Sequence, residues 1–93
     1  MIQCPLLSPD VIEAIDEELA YQNSLIDSPR AGNQDYRVAG QILTLEEYVT
    51  KARTAWVMNG DEEGDRLALD NLRKCAAICC RALLLYGCPR RAR

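Results

Sequence analysis

The sequence contains no histidine and no phenylalanine, and it has a single tryptophan among 93 residues. Its five cysteines never show the two-residue spacing that structural zinc sites commonly use. Without histidine as an alternative ligand, this pattern disfavours a zinc site. Because aromatic residues make up only 5% of the chain, the core must be built mainly from Leu, Ile, Val, Ala and Cys, a composition that suits helices.

A long apolar run is also missing. The chain has no stretch of about 18 apolar residues, the length that suggests a transmembrane helix. Its first ten residues, MIQCPLLSPD, lack the basic start and the long apolar region of a signal peptide. We therefore expect a cytoplasmic protein without a membrane partner. In that reducing compartment, an odd number of cysteines predicts free thiols rather than a disulfide framework.

Charge is distributed unevenly along the chain. Residues 1–70 carry all 14 acidic residues and five basic ones, whereas residues 71–93 carry six basic residues and no acidic one. Such a basic end can attract phosphates, or it can neutralise the acidic part within the fold or across a subunit contact. Because the net charge is -3, a short basic end makes a weak nucleic-acid binder, and we do not expect nucleic acid as a partner.

Apolar residues recur at helical spacing, and no segment shows the alternation of a strand, so the sequence predicts an all-α fold. We expect a short N-terminal helix that packs on an antiparallel hairpin of two longer helices. One domain spans residues 1–93, and its expected elements are helix 1 (8–24), a loop (27–37), helix 2 (38–59), helix 3 (65–86) and a basic tail (87–93).

Several residues predict where helices begin and end. Ser8 is a suitable cap for the first helix. Thr44 and Glu47 have the spacing of a capping box, which predicts a helix start at this point. Asn59 and Gly60 then predict a helix end, and the polar segment NGDEEGD, residues 59–65, is predicted to connect helices 2 and 3.

The last helix carries the clearest apolar stripe of the chain. Its members follow helical spacing and are predicted to face the core: Leu69, Leu72, Ala76, Cys79, Cys80 and Leu83. On this interpretation the cysteines act as small hydrophobic residues rather than as metal or redox groups. The leucines at 83–85 point in three directions around the helix, and one monomer cannot easily cover all three. This predicts a homo-oligomeric bundle that buries the remaining apolar surface.

One group of residues suggests a ligand site. If helices 2 and 3 pack together, Lys51 would lie near Arg73 and Lys74 and form a cationic spot for phosphate or carboxylate. Tyr48 or Trp56 would then stack on a base. The alternative is that the cations form ordinary surface ion pairs and that Trp56 belongs to the core.

A second group is acidic. Glu17 and Glu18 lie on the first helix, and Glu46 and Glu47 lie on the second. Carboxylates on facing helices can hold magnesium and, through it, a substrate phosphate. The alternative is that Glu47 only caps its helix and that the other three are solvated.

The segments EELAYQ, VAGQILTLEEYVTKARTAW and LDNLRKCAAICCRALLLYGCPRR, taken in this order, resemble a group of small helical proteins of tailed phages and prophages. More distantly, the arrangement is similar to the all-α nucleotide pyrophosphohydrolases of the MazG type, whose signature is EExxE on one helix and ExxD on the next. Here EEYVT has Thr50 in place of the third carboxylate. The resemblance therefore implies a nucleotide-sized pocket more than hydrolysis.

These observations lead to one preferred hypothesis and two alternatives. We expect a non-catalytic phage-type binding protein in the host cytoplasm, which sequesters a nucleotide-like ligand or blocks a host defence component. The first alternative is a magnesium-dependent pyrophosphohydrolase that uses the four glutamates. The second is a protein-interaction inhibitor, such as an antagonist of a host CRISPR system.

Overall fold

A computed structural model describes residues 6–26 and 37–91, which form three α-helices. They are α1 (Pro9–Ile26), α2 (Arg37–Asn59) and α3 (Asp61–Tyr86). These two ranges contain no β-strand, so the predicted all-α class is confirmed. Helix α3 packs against both other helices, whereas α1 and α2 do not contact each other in the described part of the chain. None of the described helices is long and apolar enough to span a membrane.

The start of α1 follows the local sequence. Ser8 precedes the helix, and its Oγ accepts a hydrogen bond from the Val11 amide at 3.2 Å, as the sequence predicts. Asp10 lies in the first turn, where a negative charge is stabilised by the helix dipole. The predicted loop 27–37 lies outside the described residues except for Arg37, which is already the first residue of α2.

The predicted capping box in α2 is wrong. Thr44 lies inside the helix, and its Oγ1 donates a hydrogen bond to the Gly40 carbonyl at 2.9 Å, one turn earlier. Gly40 is buried, so the segment before Thr44 takes part in helix packing. Packing of this kind outweighs a local capping signal, because most helix stability in proteins comes from tertiary contacts.

The predicted polar connection 59–65 is also wrong, because Gly60 alone separates α2 from α3. Gly60 and Asp61 have φ values of 60° and 48°, a region open to glycine and tolerated by aspartate. The Gly60 amide donates to the Trp56 carbonyl at 3.0 Å, and the Gly60 carbonyl accepts from the Gly64 amide at 2.8 Å. Acidic residues at 61–63 suit the positive end of α3, so these polar residues are helical.

Close packing at this turn depends on Gly64. A Cβ at this position would lie 3.0 Å from the carbonyl oxygen and 3.4 Å from the Cα of Trp56. Only a hydrogen fits there without displacing the backbone of α2. The first turn of α3 is therefore held directly against the last turn of α2. This contact fixes the angle between the two helices.

The core of the described part is small and lies on an unexpected face of α3. The stripe predicted to face the core is largely exposed, since Leu69, Leu72 and Leu83 are 62%, 48% and 44% exposed. Among the residues that the structure describes, no large side chain is fully buried. The helices approach each other through smaller residues instead, and the buried apolar side chains are those of Ala52, Cys75, Ala77 and Ile78.

Candidate ligand-binding site

Tyr48 of α2 lies close to two lysines from different helices. The Nζ atom of Lys51, one turn further along α2, is 4.5 Å from the centre of the Tyr48 ring. The Nζ atom of Lys74, on α3, is 5.9 Å from the same point. Both distances are within the range of a cation–π interaction. The structure thus brings together three of the five residues that the sequence suggests for ligand binding.

Each lysine also has an acidic neighbour on its own helix. Lys51 Nζ lies 3.7 Å from Glu47 Oε1, and Lys74 Nζ lies 3.5 Å from Asp70 Oδ2. The first pair is exposed and the second is partly exposed, and surface ion pairs contribute little to stability. The two ammonium groups can therefore turn toward an anionic ligand at small cost, while Tyr48 keeps them on one side of the molecule.

Arg73, the fourth predicted residue, is engaged in ion pairs. Its Nη2 lies 3.1 Å from Glu18 Oε1, and its Nη1 lies 2.7 Å from Asp70 Oδ1. Glu18 is buried, with 9% of its side chain exposed. Because Glu18 belongs to α1 and Arg73 to α3, this pair connects the two helices, and Arg73 acts on the site chiefly by holding Asp70.

The protonation of this network follows from its contacts. Burial acts to raise the pKa of Asp70, but the hydrogen bond from Arg73 and the charges of Arg73 and Lys74 outweigh it, so this pKa lies below its ordinary value. Burial acts to lower the pKa of Arg73, but its hydrogen bonds to Asp70 and Glu18 raise it. Both shifts favour the charged forms of Asp70 and Arg73.

Trp56, the fifth predicted residue, is not part of this cluster. Its indole Nε1 donates a hydrogen bond to Asp65 Oδ1 at 3.0 Å, next to the α2–α3 turn. It follows Tyr48 by eight positions on α2, which places it about 12 Å further along the helix axis. Its side chain is 55% exposed, so the alternative that Trp56 forms part of the core is wrong.

The four glutamates considered for magnesium do not gather at one point. Glu17, Glu46 and Glu47 are exposed on α1 and α2, and Glu18 is buried against Arg73. Within residues 6–26 and 37–91, no group of three or more acidic or cysteine side chains is placed to hold a metal ion.

The four described cysteines, three in α3 and Cys88 just after it, differ in environment. Cys75 is buried, and burial together with the neighbouring Cys79 raises the pKa of its thiol. Cys79 and Cys88 are exposed, and Cys80 is intermediate. All four thiols are free. Only Cys75 therefore packs in the core as the sequence suggests for the whole group.

Sequence reasoning missed the role of Gln22. Its Nε2 donates to Glu18 Oε2 at 3.3 Å and to the Lys74 carbonyl at 3.2 Å, so it ties α1 to the backbone of α3 beside the lysine site. The only available signal was the spacing of four between Glu18 and Gln22, which places both on one helix face. That spacing does not show which helix they contact.

Comparison with protein-family models, with curated proteins and with solved structures gives no significant match. The resemblance to phage proteins and to pyrophosphohydrolases therefore stays a prediction.

Proposed function

We propose that this protein binds an anionic, nucleotide-like ligand without transforming it, at the surface formed by Tyr48, Lys51 and Lys74. The observation that supports this proposal is the placement of two ammonium groups from two helices over one aromatic ring. Such a site offers positive charge to a phosphate and an aromatic edge or face to a base. Because the site is open, the ligand would be held at the protein surface rather than enclosed in a cavity.

The proposal includes a specific arrangement of the helices. We infer that α2 and α3 form an antiparallel hairpin, because Arg37 stacks on Tyr86 at one end and Trp56 bonds to Asp65 at the other. Lys74 of α3 then reaches Tyr48 from the other helix of the hairpin. The ligand would be bound across the hairpin, so that binding depends on both helices at once.

Isothermal titration calorimetry with ATP and with inorganic pyrophosphate tests this function. We expect wild-type protein to bind ATP at low ionic strength, where charge attraction is least screened. Lys51→Gln and Lys74→Gln should each weaken binding about threefold to tenfold. Arg53→Gln removes an exposed charge from the same helix and serves as the matched control, with an affinity close to wild type.

The same titration separates the parts of the proposal. Loss of ATP binding in Tyr48→Leu with pyrophosphate binding retained would show that the ring contacts the base. No heat with either ligand, or equal weakening by Arg53→Gln and Lys51→Gln, would contradict the proposal.

A protein partner is the second candidate, and the exposed apolar side chains of the molecule favour it. Met58 and Val57, at the end of α2, are 76% and 61% exposed, and apolar groups of this kind are common where proteins bind each other. In this case the chain would block a host defence component such as a CRISPR protein. A stoichiometric complex with such a component, lost in Met58→Glu but not in Lys51→Gln, would identify this function. We do not propose the magnesium-dependent hydrolase, because its glutamates are dispersed.

A further inference from the structure

The apolar stripe of α3 is only partly covered in the described part of the chain. We call the residues Leu69, Leu72, Ala76, Cys79, Cys80 and Leu83 the open stripe. Its three leucines are about half exposed or more, although they are the largest apolar side chains on this face. Helix α1 lies beside the stripe, yet Cys79 and the three leucines stay exposed to solvent.

The open stripe forms the floor of two grooves beside α1. One groove, of about 520 Å³, is lined by Val11, Leu69 and Leu72. The other, of about 550 Å³, is lined by Ile12, Leu83 and Leu84. Ile15 lines both of them, so the two grooves adjoin each other. Their lining is mostly apolar, with Arg66, Asp70 and Arg73 in the first and Asp16 in the second. A helix laid along the open stripe would fill both.

We propose that a second copy of this chain covers the open stripe, with the two α3 helices antiparallel and related by a twofold axis at Ala76. This inference goes beyond the ligand-binding function and does not depend on it. Symmetric dimers are the commonest oligomers, and a twofold axis requires a surface that is complementary to itself. The open stripe meets this requirement through its residue spacing and through the charges at the two ends of α3.

The spacing of the stripe is symmetric about Ala76 except at Cys79, whose symmetric position is occupied by Arg73. Leu69 lies seven positions before Ala76 and Leu83 seven positions after it, while Leu72 and Cys80 lie four positions before and after. An antiparallel pair centred on Ala76 therefore places Leu69 opposite Leu83 of the second copy and Leu72 opposite its Cys80. The small side chain at the centre allows the two helix axes to approach to about 8 Å.

The charges at the two ends of α3 are complementary in the same orientation. The first turn carries Asp61 and Glu62, and the segment after Tyr86 carries the exposed Arg90 and Arg91. In an antiparallel pair, each acidic end meets the basic end of the second copy. The positive end of each helix dipole also lies beside the negative end of the other, which is favourable. A parallel pair would instead place like charges side by side.

The amount of apolar surface fits a dimer. The half-exposed aliphatic side chains of the stripe and of α1 beside it leave on the order of 600 Å² open, close to the ~800 Å² that each partner buries in a standard interface. A chain of 93 residues also has a small core of its own, and association adds the apolar burial that it lacks. A second copy would therefore be large enough to cover the open surface, and it would add to the small core.

Sedimentation equilibrium over a range of concentrations tests the interface. We expect the wild-type mass to rise from 10.4 kDa to twice that value and no further. Leu72→Glu should raise the dissociation constant at least 100-fold. Leu43→Glu is the matched control, since Leu43 is 63% exposed on α2, and its dimerisation should equal that of wild type. A wild-type monomer at every concentration, a larger assembly, or equal effects of the two variants would overturn the proposal.

A charge exchange tests the antiparallel orientation. Glu62→Arg and Arg90→Glu should each weaken the dimer about threefold to tenfold, and the double variant should regain most of the wild-type affinity. If the double variant is as weak as or weaker than both single variants, the two ends do not meet and the antiparallel arrangement is wrong. Circular dichroism of each variant establishes that the helices are intact.

Discussion

Helix α3 has two apolar faces, and they differ in the size of their side chains. The buried face consists of Gly64, Cys75, Ala77 and Ile78. The open stripe carries the leucines 69, 72 and 83, which remain about half exposed. The face that is more hydrophobic by sequence is thus the less buried one. Small side chains permit close contact between helices within one chain, while the leucines remain available for a contact between molecules.

Removing apolar groups from the two faces should give the largest difference in stability. Ile78 is 3% exposed, and Ile78→Ala should lower the free energy of unfolding by about 2–4 kcal/mol. Leu69→Ala, at a side chain that is mostly exposed, should lower it by less than about 1 kcal/mol at concentrations where the chain is monomeric. Urea unfolding followed by circular dichroism measures both. Equal losses would remove the distinction between the faces.

Protein concentration should change the effects of these two substitutions differently. Dimerisation stabilises the folded state by mass action, so the cost of Leu69→Ala should grow as the protein concentration rises. The cost of Ile78→Ala should not grow in this way. If neither value depends on concentration, the open stripe makes no contact between copies.

A smaller effect is expected from the ion pair that holds α1 to α3. Glu18→Gln keeps the size of the side chain but removes the charge that faces Arg73, and it should lower stability by about 1–2 kcal/mol. Glu17→Gln alters the exposed neighbour on the same helix and should change stability by less than about 0.5 kcal/mol. Thermal unfolding at pH 7 compares the two variants. An equal response would mean that the pair does not contribute.

The smallest effect concerns Asp70, whose pKa is lower in the folded protein than its ordinary value of 3.8. A lowered folded pKa means that the unfolded chain takes up the proton first as the pH falls. The stabilisation is therefore complete above the ordinary pKa and is lost as the pH falls through the folded one.

As a partly exposed pair of this kind contributes about 0.2–1 kcal/mol, Asp70→Asn should cost that amount at pH 7 and less at pH 2. Urea unfolding at both pH values measures the difference. A constant cost at both values would show that the charge of Asp70 is not what stabilises the fold.

The sequence predicts the helices better than their contacts. Periodicity and composition indicate the all-α class, and Ser8 caps α1 as expected. The segment 59–65 is predicted to be a connection because it is rich in polar residues, yet the acidic residues at 61–63 are favoured at a helix start once α2 has ended and only Gly60 precedes α3. Local residue preferences do not contain that information.

The candidate site was predicted in part for a similar reason. Helical spacing places Tyr48 and Lys51 together on α2, and the contact with Lys74 follows once α2 and α3 pack against each other. The same spacing cannot show that Arg73 turns toward Glu18 of α1. Nor does hydrophobicity alone show which face of α3 is covered, because the choice depends on how closely small residues allow the helices to approach.

The exposure of individual methyl groups tests the central claim most directly, namely that α3 presents one face to its own core and another to a second copy. Methyl NMR with a water-soluble paramagnetic agent can measure it in dilute and in concentrated wild-type protein. We expect the methyl groups of Leu69, Leu72 and Leu83 to be accessible when dilute and shielded when concentrated, with Leu43 accessible and Ile78 shielded throughout. Stripe leucines that stay as accessible as Leu43 at every concentration would contradict the claim.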